Sequence, residues 1–93
     1  MTVEEIRNKV VPLLQTYGAV RVGLFGSAAR GAMGPDSDID ILVDLPQRIG
    51  LLDFVGIKLE LETILGKKVD LVEYQALKPA LREKILQHQT VLL

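Results

Sequence analysis

Apolar side chains recur at Val3, Ile6, Val10, Leu13, Leu14 and Tyr17, the three- and four-residue spacing of one helix face. Thr2, followed three residues later by Glu5, forms a capping-box pattern that starts this helix, and Gly18 is placed to end it in a left-handed conformation. Pro12 falls inside the periodic run. An interior proline removes a backbone donor and costs about 3 kcal/mol, so the pattern predicts a kink or a locally opened turn rather than two helices. From Ala19 the period changes to two, with Val20, Val22 and Leu24 on one side and Arg21, Gly23 and Phe25 on the other. That alternation predicts a strand running directly into Gly26-Ser27.

Ala28, Ala29 and Arg30 favour a short helix, which Gly31 and Gly34-Pro35 stop within about two turns. A second strand is predicted from Asp38 to Asp44, with Ile39, Ile41 and Val43 on one face, and Pro46 ends it. After Gly50, the residues Leu51, Phe54, Ile57, Leu61, Ile64 and Leu65 make an apolar stripe, with Asp53, Lys58, Glu60 and Glu62 mostly away from it. This predicts a surface helix packed on a sheet and closed by Gly66. Val69 to Val72 reads as a third strand, Pro79 opens a last helix carrying Leu81, Ile85 and Leu86, and Val91 to Leu93 forms a final extended segment. The expected fold class is α/β (α+β): a small mixed β-sheet with helices packed on it, built as one domain over residues 1–93.

At 93 residues the chain is near the smallest size that buries enough surface to fold alone. Its composition is 48% hydrophobic with only two Phe and two Tyr, so the core is mostly Leu, Val, Ile and Ala. Eleven basic against twelve acidic residues give a net charge of −1, which argues against an electrostatic nucleic-acid coat. There is no cysteine, hence no disulfide and no thiolate metal site. Glu4, Glu5, Arg7 and Lys9 lie where a signal peptide is apolar, and no apolar run approaches a membrane span. A cytoplasmic protein with no membrane partner and no direct nucleic-acid binding is expected.

The chemistry concentrates between Gly26 and Asp44. Strand alternation puts Asp38 and Asp40 on one face, about 7 Å apart at the backbone. Like charges at that separation disfavour each other unless a cation lies between them. Oxygen ligands without Cys or clustered His favour magnesium, with manganese as a substitute, over zinc. Two-metal phosphoryl transfer needs carboxylates that hold ions about 3.5–4 Å apart, and Asp38 and Asp40 suit that task. Asp70, set in an apolar strand where an unpaired carboxylate is costly to bury, is the candidate third ligand and proton acceptor. Asp44 shares the face of Asp40 but stands about 13 Å along the strand, too far for one site.

Gly26 and Ser27 suit a phosphate cradle: glycine lets the backbone approach, serine donates, and the following short helix offers N–H groups. Arg30 suits either a phosphate ligand or a loop-positioning residue. Separately, each feature has an ordinary explanation: a strand-to-helix turn, a cap, solvated charges. The conjunction of Gly26-Ser27, Asp38, Asp40 and Asp70 favours the metal site. His88 near a helix end reads as a favourable C-terminal charge rather than a catalytic base, and Lys67-Lys68 as solvated.

Gly26, Ser27, Ala29, Arg30, Gly31, Ser37, Asp38 and Asp40 together resemble the motif of the nucleotidyltransferase superfamily that includes DNA polymerase β. The likeness is greatest to its minimal nucleotidyltransferase (MNT) branch and extends over essentially the whole chain. It implies catalytic and metal-binding Asp38, Asp40 and Asp70, nucleotide-binding Gly26, Ser27 and Arg30, two Mg2+ ions and ATP as substrate. It also implies a partner, since MNT proteins are commonly antitoxins that bind a helical HEPN-domain toxin and nucleotidylate it on tyrosine.

The function expected is transfer of AMP from ATP to a hydroxyl of that partner protein, with release of pyrophosphate. Two alternatives belong to other classes. One is a non-catalytic binding module that neutralises its partner by occlusion. The other is a small-molecule or RNA nucleotidyltransferase completed by self-association, for which Thr90 to Leu93 offers an apolar segment able to pair with an edge strand or a second copy.

Overall fold

Helix α1 (Val3–Thr16) begins at Thr2, whose hydroxyl accepts from the Glu5 N–H at 3.1 Å while the Glu5 carboxylate accepts from the Thr2 N–H at 3.3 Å. Both halves of the expected capping box are therefore made. The helix continues unbroken past Pro12. Pro12 and Asn8, the residue four positions earlier whose carbonyl loses its usual donor, are both exposed, so water can satisfy that group. Gly18 ends the segment with φ +86°.

The computed structural model of the chain describes residues 1–29 and 37–93, and of residues 27 and 28 the backbone alone. The described elements after α1 are β1 (Arg21–Phe25), the one-turn α2 (Gly26–Ala29), β2 (Ile39–Asp44), α3 (Leu51–Leu65), β3 (Val69–Glu73), a 3₁₀ turn (Tyr74–Ala76), α4 (Pro79–His88) and β4 (Thr90–Val91). The sheet runs in the order β3-β2-β1-β4. β1 pairs antiparallel with β2 and β4, and β2 pairs parallel with β3, which α3 links to it. The fold class is α/β with a mixed four-stranded sheet.

Period-two patterning assigns the two sheet faces. Val22 and Leu24 of β1, Ile39, Ile41 and Val43 of β2, and Val69 and Leu71 of β3 pack into one core with Ile6, Val10 and Leu14 of α1 and Ile57, Leu61 and Leu65 of α3. The opposite face carries Asp40, Leu42 and Asp44. There Leu42 and Tyr74 are buried outside the main core.

Two details depart from the sequence pattern. Val20 is 56% exposed and precedes β1, and Leu51 is 78% exposed, with Ile64 also solvent-facing, so the buried stripe of α3 narrows to Phe54, Ile57, Leu61 and Leu65. Leu51, Leu52, Val55 and Leu59 are exposed, because α3 is apolar over more of its circumference than one sheet contact can cover.

The C-terminal segment is fastened inside the chain. The Leu92 N–H donates to the Val22 carbonyl at 2.8 Å and the Val22 N–H donates to the Leu93 carbonyl at 3.1 Å. The Arg7 guanidinium adds donations to the Val91 and Leu92 carbonyls at 3.2 and 3.3 Å. Residues 90–93 thus cover the free edge of β1. Among the described residues no helix is long and apolar enough to cross a membrane.

Candidate active site

Backbone pairing sets Phe25, Asp40 and Asp70 in one row across three strands: Phe25 opposite Asp40 in the antiparallel pair, and Asp40 opposite Asp70 in the parallel pair. Adjacent strands lie about 4.8 Å apart, so the Asp40 and Asp70 backbones are closer than any two carboxylates separated along one strand. The row is a product of topology. α3 returns the chain so that β3 runs beside β2 in a register that brings Asp70, thirty positions later, to the side of Asp40. Asp38 is exposed and stands one residue ahead of β2.

Asp40 is half-buried. Its burial pushes its carboxyl above the usual carboxylate range, and the charges of Asp70 and Asp38 push it the same way. Asp70 is solvent-exposed, so the burial cost expected from its apolar flanks does not arise. Val69 and Leu71 turn into the core and leave the carboxylate on the open face. Asp44 lies farther along β2, opposite Arg21, and accepts a hydrogen bond from the Gln75 amide at 3.2 Å, apart from the row as its spacing implies.

The turn after β1 closes on the same carboxylate. Gly26 has φ +65°, in the left-handed region, and a Cβ placed there would collide with Asp40 Oδ2. Glycine is required on both counts. The last residue of α2 is held from the far end of the sheet, where the Thr90 hydroxyl donates to the Ala29 carbonyl at 3.1 Å. Ser27 lies in α2 with its backbone alone described, and Arg30 lies outside the described residues.

Among the described residues no three His, Cys, Asp or Glu side chains already stand close enough to hold a metal ion. The donor set nevertheless fits a hard divalent cation. Three carboxylates share a small area of one face, two of them are exposed and able to turn, and the third has its ionised form disfavoured by the other two. A cation shared among them removes that repulsion.

Beside the row lies a cleft of about 330 Å³ lined by Phe25, Gly26, Lys84, Ile85 and His88. Sequence reasoning assigned Lys84 no part and left His88 as a helix-end charge. Their spacing of four, which places both on one face of α4, was the available signal.

Residues 3–92 match the family described as the nucleotidyltransferase domain. The chain belongs to that family. It is similar to the protein adenylyltransferase MntA of Thermococcus cleftensis, with 37% identity over 91 residues covering 94% of this chain and 92% of the relative. A solved structure provisionally called a minimal nucleotidyltransferase superposes with a TM-score of 0.82 at 43% identity, over 96% of this chain and 94% of that one. A chain of a toxin–antitoxin crystal structure with AMP-PNP superposes with a TM-score of 0.83 at 26% identity, over 94% of this chain and 72% of that one. The Gly26 turn and the carboxylate row both lie within the matched residues of this nucleotidyltransferase.

Proposed function

We propose that the protein is a metal-dependent protein adenylyltransferase that moves AMP from ATP onto a hydroxyl of a partner protein, acting as the antitoxin of a HEPN-domain toxin. The observation that carries this reading is the convergence of Asp40 and Asp70 at paired positions, beside Asp38, against a turn where only glycine fits. The relatives support the reaction class, and the solved toxin–antitoxin likeness supports the partner class.

In this reading Asp38, Asp40 and Asp70 would hold divalent cations, magnesium by the hardness of the donors, which would offset the triphosphate charge and acidify the acceptor hydroxyl. The chain's own groups divide the remaining work. Gly26 lets the backbone approach the phosphates, with the Ser27 and Arg30 side chains assigned to the same end of the nucleotide. Asp70, exposed at the β3 side of the row, accepts the proton of the attacking hydroxyl. The acceptor oxygen forms a bond to the α-phosphorus, the bond from that phosphorus to the bridging oxygen breaks, and pyrophosphate departs with the electron pair.

Substitution tests this directly. Asp38→Ala with Asp40→Ala should abolish nucleotidylation of the toxin and, with it, protection of cells that express the toxin. Full protection by that double variant would instead establish neutralisation by occlusion.

A further inference from the structure

The carboxylate row accounts for the reacting end of a nucleotide and leaves its other end without a seat. The cleft under α4 adjoins the row at Gly26, the residue that also abuts Asp40. Phe25, half-buried and paired with Asp40 on the same face, forms part of its floor, and Ile85 contributes an apolar wall. Lys84 and His88, both exposed, stand at its rim. A volume of about 330 Å³ falls within the range of small-molecule pockets, which are mostly apolar with a few placed polar groups.

The rim has a defined hydrogen-bonding character. His88 Nδ1 lies 2.8 Å from the Lys84 carbonyl oxygen. A carbonyl has no proton to give, so Nδ1 carries the hydrogen, and Nε2 is the ring nitrogen left to an incoming ligand, an acceptor whenever the ring is neutral. The Lys84 ammonium, which makes no ion pair among the described residues, supplies donors beside it. An aromatic surface, an aliphatic wall, one acceptor and one cationic donor match a nucleobase with its ribose better than they match bare phosphate.

We propose that this cleft is the nucleoside subsite, so that α4 seats the base and ribose of the donor nucleotide while the Gly26 turn and the carboxylates take its phosphates. The proposal rests on the transferase reading and extends it. It also orients the reaction. The donor lies on the β1 side of the row, and the β3 side, where Asp70 is exposed, is left open to the acceptor hydroxyl.

The test is calorimetric titration of the full chain, in magnesium, with ATP and separately with inorganic tripolyphosphate. Wild type is compared with the Lys84→Ala, His88→Ala double variant and with Ile85→Ser, each checked for folding by circular dichroism. Loss of hydrogen bonds to the base and ribose should weaken ATP about tenfold or more, with tripolyphosphate affinity unchanged, and Ile85→Ser should act in the same direction. Undiminished ATP affinity in both variants overturns the subsite, as does a parallel fall for ATP and tripolyphosphate. A wild-type chain that binds neither ligand overturns the transferase reading and this proposal with it.

Discussion

Asp40 is a residue whose environment works against its own ionised form. Burial and the charges of Asp70 and Asp38 raise its folded-state pKa, so the folded protein holds the proton more tightly than the unfolded chain. Stability therefore falls as pH rises from the ordinary carboxylate range through the raised value, and the penalty is complete once pH stands above that value. Asp40→Asn should accordingly raise the melting temperature at pH 7 in buffer containing a chelator. The gain should fade as pH drops below the ordinary carboxylate range, while transfer activity falls by about a hundredfold or more. Thermal denaturation across pH reads the first effect, and a variant less stable than wild type at pH 7 would contradict it. Gly26 poses the complementary case. Gly26→Ala forces a left-handed φ on alanine and drives a Cβ into the Asp40 carboxylate. Urea denaturation should show a loss of about 1–2 kcal/mol, together with impaired nucleotide binding.

Among the elements, α3 joins the core to the open surface. Leu61 is fully buried and Leu52 is 86% exposed, nine positions apart on one helix. Leu61→Ala should cost about 2–5 kcal/mol, whereas Leu52→Ser should change stability by no more than about 0.5 kcal/mol. Equal losses at the two positions would refute the assigned helix face. The sequence pattern named Leu61 correctly but also placed Leu51 and Ile64 in the stripe. Periodicity identifies a helix and its mean apolar direction, but it does not set the width of the face that a four-stranded sheet can cover. Thr2 with Glu5, Gly18 and Gly66 were legible because caps act within a few residues of themselves. The unbroken course of α1 through Pro12 was not, because it depends on which side of the helix meets solvent. Gly23 is a further tertiary case. A Cβ there would stand 2.6 Å from the Tyr74 hydroxyl, which donates to Gln89 at 2.7 Å as it lies across β1. Nothing near Gly23 in sequence announces that crossing.

Across the whole molecule, the two ends and the site are tied together. α1 reaches the last residues through Arg7, β4 pairs with β1, and Thr90 holds the end of α2. Deleting residues 90–93 should therefore lower the melting temperature and promote association through the uncovered β1 edge, both readable by light scattering during a thermal ramp. A truncated chain with unchanged stability and unchanged light scattering would contradict this role. That Asp40 and Asp70 each face away from the core was legible in the sequence, because strand alternation sets their apolar neighbours Ile39, Ile41, Val69 and Leu71 on the other face, whereas their pairing across two strands was not. Nor was the cleft under α4, since it arises where residues near position 25 meet residues near position 88. The transfer of a nucleotidyl group by the carboxylate row to a partner protein is tested by intact-mass spectrometry of the HEPN-domain partner after incubation with this protein, ATP and magnesium, beside the Asp38→Ala, Asp40→Ala double variant. A mass gain of one or more AMP groups with wild type alone is the expected result. A stable, neutralised complex with no mass gain would contradict the transfer.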